Sequence, residues 1–219
     1  MIAKTIDHTL LTATATEDDI RRLCAEAAEW SFATVCVNPL HVGLAAHELR
    51  GTEVKVCAVV GFPLGATTTA AKITETLGAL EDGATEFDVV TALGLLRGGA
   101  LGRYRDDLAA VVEVARRRPA TVVKAILETG ALSQDEIIIA AQAAVEVGVD
   151  FVKTSTGMVA SGATVEAVRL LRATVLSQVR VKASGGIHTL AQARDMLSAG
   201  ADRLGTSAGV AIAREEMSA

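Results

Sequence analysis

The amino-acid sequence predicts an α/β protein, built as a single eight-stranded parallel (β/α)8 barrel with residues 1–219 as one domain. Short runs rich in β-branched residues alternate with longer alanine-rich stretches of helical period. Parallel neighbouring strands need crossover connections, which helices supply. Equivalent positions recur about every 28 residues, which suits one strand–helix unit, and such barrels typically need about 250 residues. A chain of 219 residues therefore suits a lean barrel without a second domain.

Eight short segments are predicted as strands from their β-branched residues. In chain order they lie at 5–10, 33–37, 54–62, 86–91, 121–128, 150–155, 179–184 and 202–206. The alternative architecture is an open doubly wound sheet, whose first strand is followed by a Gly-x-Gly-x-x-Gly turn. Residues 10–14 read Leu-Leu-Thr-Ala-Thr instead, so the closed barrel is favoured.

Helices are expected between the strands, and several carry start and stop signals. The examples lie at 16–30, 68–83, 103–117, 133–148 and 189–200. Thr16 is followed by three acidic residues, and Ser133 with Glu136 matches a capping box. Gly83, Gly148 and Gly200 stand where a left-handed residue would end a helix.

Composition excludes several classes of function. A net charge of −5 without a basic block argues against a nucleic-acid partner, and 3% aromatic residues leave no stacking surface for single strands. No apolar run is long enough for a membrane span or a signal peptide. The three cysteines are odd in number and lack Cys-x-x-Cys spacing. We therefore expect a cytoplasmic protein with no nucleic-acid or membrane partner.

Three lysines lie inside apolar strands at equal spacing: Lys124, Lys153 and Lys182. An unpaired buried ammonium is costly, so each needs an explanation. Equal spacing means equal depth in successive units, so the three amines are expected to converge inside the barrel. Lys153 and Lys182 lie near the carboxyl ends of their strands, where barrel active sites sit. Lys55 is interpreted instead as a solvent-facing strand lysine.

A pair of neighbouring lysines supports imine chemistry. An amine attacks a carbonyl group only when it is neutral, and the ordinary lysine pKa near 10.4 leaves very little neutral amine at pH 7. A second ammonium about 6 Å away, at an effective dielectric near 20, lowers the pKa of its neighbour by about two units. One lysine is then the nucleophile and the other the perturbing charge, and spacing alone leaves open which is which.

Two carboxylates and two glycine-bearing loops complete the candidate site. Asp88 and Asp7 lie in strands and are expected partners of the interior lysines. The loops after the seventh and eighth strands, 184–187 and 205–209, contain glycines and hydroxyls. Loops at these positions frequently bind phosphate in such barrels, because backbone amides and a helix N-terminus favour an anion. The sequence thus predicts a small phosphorylated ligand.

No metal ion and no organic cofactor is expected. His41 and His47 are six residues apart in a helical stretch, and no His-Glu-x-x-His motif or calcium-loop pattern occurs. Cys36 and Cys57 lie in apolar strands and are interpreted as small core residues.

The chain resembles the deoxyribose-phosphate aldolases, a family of class I, Schiff-base aldolases with an eight-stranded barrel. The matching motifs, in chain order, are IDHTLL, VCVNP, VVGFPLGATTT, EFDVV, VKAILETG, DFVKTSTG, VKASGGI and RLGTSAG. They span nearly the whole chain. The resemblance implies reversible cleavage of 2-deoxy-D-ribose 5-phosphate to D-glyceraldehyde 3-phosphate and acetaldehyde, in a homo-oligomer (a dimer or a tetramer).

The resemblance also implies roles for individual residues. Lys153 forms the imine, Lys182 is the neighbouring ammonium, and Asp88 works with Lys182 and water in proton transfer. The substrate and its phosphate are expected to contact Asp7, Thr154, Gly185, Gly186, Gly205 and Ser207.

Some positions depart from the usual pattern of the family, namely Thr91, residues 158–161, His188 and Ala208. These departures are expected to affect how the phosphate is bound and which substrate is preferred. The alternative function is a barrel that binds a phosphosugar without catalysis or with a different specificity.

Overall fold

The computed structural model describes residues 2–177 and 179–219 and confirms the predicted fold class. The sheet closes in sequence order into a parallel barrel in which the eighth strand pairs with the first. The strands are β1 Ile6–Leu10, β2 Thr34–Val37, β3 Lys55–Val60, β4 Glu86–Val90, β5 Val122–Ile126, β6 Phe151–Lys153, β7 Arg180–Ser184 and β8 Arg203–Thr206.

Helices surround the barrel in the crossover connections. They are α1 Glu17–Trp30, α2 Val42–Glu48, α3 Thr69–Glu81, α4 Leu93–Arg97, α5 Leu101–Ala115, α6 Gln134–Val147, α7 Val165–Val175, α8 Leu190–Ser198 and α9 Gly209–Ser218. Short 3-10 turns lie at Ile2–Thr5, Pro39–His41 and Thr129–Ala131. Ser133 forms the predicted capping box, Thr16 forms one as well with Asp19, and Gly148 ends α6 in the left-handed conformation. No helix among the described residues is long and apolar enough to cross a membrane.

The main core lies between the outer face of the barrel and the helices. Alternate strand residues such as Val35, Ala58 and Val152 point outward into this layer and are fully buried. A second, small apolar cluster of Cys36, Cys57 and Val59 lies apart from it. Because outward positions supply the main core, the inward positions are free to carry polar groups.

The predicted strand ends differ from the observed ends where the backbone turns sharply. The segment predicted at 54–62 ends at Val60, since Gly61 has a φ of 64°. The segment predicted at 121–128 ends at Ile126, since Glu128 adopts the left-handed conformation. These residues start the loops at the mouth of the barrel.

Candidate active site

Strand alternation turns five charged side chains into the barrel. Phe151 and Lys153 share one face of β6 and Val152 the other, because side chains alternate along a strand. The same rule places Asp7 on β1, Asp88 on β4, Lys124 on β5 and Lys182 on β7 inside. None of the five charged residues is more than 3% exposed.

Asp88 is the centre of this cluster. Its Oδ2 accepts hydrogen bonds from Lys153 Nζ and Lys182 Nζ, each at 2.7 Å. Its Oδ1 accepts from Lys124 Nζ at 2.9 Å and from Cys57 Sγ at 3.1 Å. Lys153 and Lys182 are also direct register partners on β6 and β7. The two amines therefore lie no further apart than twice the hydrogen-bond distance that each makes to the shared oxygen.

A second set of ion pairs lies around these groups. Lys182 Nζ also contacts Asp7 Oδ2, and Lys124 Nζ lies 2.6 Å from Glu86 Oε2. Arg203 Nε donates to Asp7 Oδ1 at 2.8 Å, and its Nη2 lies 3.1 Å from Glu86 Oε2. Lys182 and Lys124 are thus each held by two or more carboxylates, whereas Lys153 contacts only Asp88 among the described acidic groups.

The cluster carries one more basic side chain than acidic ones. Its basic and acidic members are Lys124, Lys153, Lys182, Arg203, Asp7, Glu86 and Asp88. Buried charges are tolerated when they are paired and hydrogen-bonded. If one lysine loses its proton, each of the three carboxylates can therefore still have a cation beside it.

The pKa values of the two aspartates are lowered. Burial by itself raises the pKa of the Asp88 carboxyl, but the ammonium groups of Lys124, Lys153 and Lys182 hold that pKa well below its usual range. For Asp7, burial is likewise outweighed by Lys182, Lys124 and Arg203, and its pKa also falls. Both carboxylates are ionised at neutral pH.

The pKa values of two lysines are raised. Burial favours the neutral amine of Lys182, but Asp7 and Asp88 outweigh burial and raise its pKa above the usual lysine value. Burial likewise opposes the charge of Lys124, whose pKa is raised by Asp88, Cys57, Glu86 and Asp7. Both shifts favour the charged ammonium form of Lys182 and Lys124 at neutral pH.

A cavity of about 440 Å³ opens above the cluster at the carboxyl ends of the strands. Lys153 lines it, and Asp7, Asp88 and Lys182 lie below it without lining it. The loops after β6, β7 and β8 form much of its wall. Lys153 is therefore the amine of the cluster that a bound molecule can reach.

Four of the six predicted substrate and phosphate residues line this cavity, and Asp7 lies below it. The four are Gly185, Gly186, Gly205 and Ser207. Gly185 and Gly186 have φ values of 88° and 78°, which favour glycine, and neither residue has a side chain that would shield its backbone amide. Gly205 lies against Ser184 Oγ and Lys182 Cε, so a side chain at 205 would collide with Ser184 and crowd the lysine. The N-terminus of α9 begins at Gly209, close to Ser207 in the chain.

Thr154, another expected contact of the substrate, lies outside the cavity. It is fully buried and does not line the cavity. Its Oγ1 accepts a hydrogen bond from Ser184 N at 3.1 Å and donates to Ser184 O at 3.2 Å. The physical reason is the alternation along the chain, which turns Thr154 away from the face that carries Lys153.

Sequence reasoning missed several residues of the site. Arg203 balances charge inside the barrel together with Glu86, which shares a strand face with Asp88, and alternation with Gly205 would have found Arg203. Thr156 lines the cavity, and so does His188, which the sequence had already singled out for phosphate binding. The sequence position of Thr156 could have indicated a place in the site, because it lies in the polar loop directly after the strand that ends at Lys153.

One group of possible metal ligands lies in the described part of the chain: Cys36, Cys57 and Asp88, with ligand atoms within 4.8 Å of one another. Both oxygens of Asp88 already accept from lysine ammonium groups, and Lys124 Nζ lies 3.3 Å from Cys57 Sγ. The positive charge around the group repels a cation. The cysteines are free and buried, but they lie beside the charged cluster and apart from the main core.

Comparisons with known proteins find similar sequences over nearly the whole chain. The model of the DeoC/LacD aldolase family matches residues 1–219. A curated deoxyribose-phosphate aldolase from Carboxydothermus hydrogenoformans is 53% identical over 212 residues, which cover 96% of this chain and 93% of the relative.

Solved structures agree as well. A putative deoxyribose-phosphate aldolase from Coccidioides immitis superposes with a TM-score of 0.96 at 43% identity, covering 99% of this chain and 85% of that one. A deoxyribose phosphate aldolase from Aeropyrum pernix, described as having a unique tetrameric structure, superposes with a TM-score of 0.93 at 34% identity. Those matches cover 99% of this chain and 91% of the Aeropyrum chain.

Proposed function

The chain belongs to the DeoC/LacD aldolase family and has deoxyribose-phosphate aldolase activity, and from this premise we propose that Lys153 forms the imine with the substrate. The observation that carries the proposal is the contact of Lys153 and Lys182 with one oxygen of Asp88, each at 2.7 Å. Of the two amines, only Lys153 lines the cavity.

The charge balance supports a nucleophilic role for Lys153. When Lys153 loses its proton, Asp88 still contacts the ammonium groups of Lys124 and Lys182. At the short separation of the two amines, a second ammonium adds about 3 kcal/mol of repulsion at an effective dielectric constant near 20, and Asp88 offsets part of it. Lys182 keeps its own proton because two carboxylates hold it.

The cleavage then proceeds in four steps. The neutral amine of Lys153 adds to the aldehyde carbon of the open-chain sugar phosphate, and loss of water gives the iminium ion. The bond between carbons 2 and 3 breaks as the hydroxyl on carbon 3 loses its proton, and the electron pair enters the enamine. Protonation of carbon 2 restores an iminium ion, whose hydrolysis releases acetaldehyde and frees the amine.

Asp88 and Lys182 are proposed to move the protons of this sequence. Their contact at 2.7 Å joins the carboxylate to an ammonium group directly beside the reacting amine. Asp88 accepts a proton from one intermediate and returns it to the next, with water as the second carrier. The carboxylate can accept a proton in one step, and the resulting carboxylic acid can donate it in the next.

The phosphate of the substrate is proposed to bind at the glycine loops. Gly185, Gly186, Gly205 and Ser207 support this because they line the cavity that also holds Lys153. Uncovered backbone amides and hydroxyls bind an anion without a fixed positive charge. His188 lines the same wall and adds a ring that can donate a hydrogen bond.

Turnover of defined sugar phosphates tests the activity. The purified protein should release acetaldehyde and glyceraldehyde 3-phosphate from 2-deoxyribose 5-phosphate, and ribose 5-phosphate should give neither product. Binding without turnover would favour a phosphosugar-binding barrel instead.

We also propose a homo-oligomer, either a dimer or a tetramer. The tetrameric description of the Aeropyrum relative supports this state, as do exposed Leu40 and Leu64 at the carboxyl end of the barrel. Light scattering of the purified chain should give two or four times the monomer mass.

A cytoplasmic location and a single domain over 1–219 remain proposals as well. Three free, buried cysteines support a reducing compartment, and cell fractionation measures the location. A single cooperative unfolding transition is the expected outcome for one domain.

A further inference from the structure

Glu128 follows β5 and has no part in the reaction steps derived above. It is 1% exposed and adopts φ 53° and ψ 58°, a left-handed conformation that is costly for a residue with a Cβ atom. Its Oε1 is buried and has no hydrogen-bond partner among the described residues. Backbone strain and an unsatisfied buried oxygen both destabilise the fold, so they point to a role other than stability.

The second carboxylate oxygen of Glu128 holds a residue of the cavity wall. Glu128 Oε2 accepts hydrogen bonds from Thr156 N at 3.1 Å and from Thr156 Oγ1 at 2.6 Å. Thr156 lines the cavity together with Lys153, three residues earlier in the chain. Glu128 thus reaches from the end of β5 to the loop that follows the reactive strand.

Three consecutive hydroxyls tie this loop to the strands on both sides of β6. Thr154 and Ser155 donate to Ser184 O at the end of β7, at 3.2 and 2.6 Å. Thr156 donates in the opposite direction, to Glu128. Among the described residues, Glu128 is the side chain that accepts hydrogen bonds from this loop on the β5 side.

The contact also fixes which way the Thr156 hydroxyl can hydrogen-bond. Its proton is donated to Glu128, and one lone pair accepts from Met158 N at 3.1 Å. A hydroxyl has one proton and two lone pairs, so one lone pair remains. Thr156 can therefore act toward a bound molecule only as an acceptor, and its matching partner is a hydroxyl group of a sugar.

We propose that Glu128 is a positioning residue that holds Thr156 as a hydrogen-bond acceptor for a hydroxyl of the substrate beside Lys153. The inference rests on the proposed function, because it assigns the recognised hydroxyl to the sugar bound at Lys153. Acetaldehyde has no hydroxyl, so imine formation with acetaldehyde does not need this contact.

The test compares two reactions in the full-length protein. Glu128→Leu should lower kcat/KM for 2-deoxyribose 5-phosphate about 10- to 100-fold, the size expected when a substrate-positioning contact is lost. The rate at which borohydride traps acetaldehyde on Lys153 should stay within about threefold of wild type, because acetaldehyde has no hydroxyl for Thr156 to position. Glu128→Gln retains an acceptor oxygen and should recover most of the cleavage. Glu113→Gln, an exposed glutamate on α5, is the matched control and should behave as wild type.

A second variant covers the case in which Glu128→Leu does not fold. Thr156→Val should show the same selective loss of cleavage, and Thr156→Ser should restore it. The double variant Glu128→Leu, Thr156→Val should be no worse than either single variant, because both remove one contact. Equal loss of cleavage and trapping, additive losses, or unchanged cleavage in Glu128→Leu would overturn the inference. Failure of the wild type to cleave the sugar phosphate would instead overturn the proposed function.

Discussion

Lys153 and Lys182 are register partners on adjacent strands, and their amines meet at a single oxygen of Asp88, each at 2.7 Å. The two residues differ in their other contacts. Lys182 also pairs with Asp7, while Lys153 faces the cavity. This asymmetry separates an ammonium group held by two carboxylates from the amine that is proposed to react, within one hydrogen-bonded cluster.

Removing the Lys182 cation should move the pH dependence of activity. Lys182→Met removes the ammonium group that shares Asp88 Oδ2 with Lys153, so a positive charge directly beside the reacting amine is lost. We expect the acid limb of the kcat/KM profile to shift alkaline by about one to two pH units, with kcat reduced as well. Lys55 is an exposed lysine on β3, so Lys55→Met is the control and should leave the pH profile of kcat/KM unchanged. An unchanged acid limb in Lys182→Met would show that the Lys182 ammonium has no electrostatic effect on the reaction.

The pKa directions in the cluster predict how stability depends on pH. Asp7 and Asp88 have lowered pKa values, so their contribution is present above the unfolded value near 3.9 and is lost as the pH falls through the folded value. Lys124 and Lys182 have raised pKa values, so their contribution is present below about 10.4 and is lost as the pH rises through the folded value. The free energy of unfolding should therefore be flat near neutrality and fall at both extremes.

The same cluster predicts the cost of losing its central carboxylate. Asp88→Asn leaves three lysines around an uncharged amide, and we expect a loss of about 3 to 5 kcal/mol at pH 7 together with a shallower acid slope. Urea unfolding from pH 3 to 10 measures both effects. Exposed Asp106→Asn on α5 is the control. A loss as small as that of the control would contradict a central role for Asp88.

A new negative charge at the phosphate wall should discriminate between substrates. Ser207 is exposed and lines the cavity, so Ser207→Glu places a carboxylate where the phosphate is proposed to bind. We expect kcat/KM for 2-deoxyribose 5-phosphate to fall about 10- to 100-fold through charge repulsion. The value for unphosphorylated 2-deoxyribose should hardly change. A parallel fall for both sugars would place the phosphate elsewhere.

Thr154 should prove structural, not a substrate ligand. Thr154→Val leaves the buried Ser184 N without its acceptor, and we expect a loss of stability of about 1 to 3 kcal/mol. KM for the sugar phosphate should stay within about twofold of wild type, because Thr154 does not line the cavity. An increased KM with unchanged stability would restore the sequence-based expectation.

The sequence predicted the fold and much of the site because both depend on periodicity. Alternation and equal spacing were enough to bring Lys124, Lys153 and Lys182 to one depth, and Asp88 was expected as a partner. The sharing of one carboxylate oxygen could not be predicted from the sequence, since it depends on side-chain conformations across three strands. The role of Thr156 was also missed, because its acceptor Glu128 follows a different strand and has a backbone conformation that is unusual for glutamate.

The central claim is that Lys153 is the amine that reacts. Its most direct test is borohydride reduction of the protein with acetaldehyde, followed by mass spectrometric mapping of the modified lysine. The proposed mechanism predicts a stable two-carbon adduct on Lys153 that disappears in Lys153→Ala, with Lys124 and Lys182 unmodified. An adduct on Lys182, or an undiminished adduct in Lys153→Ala, would contradict it.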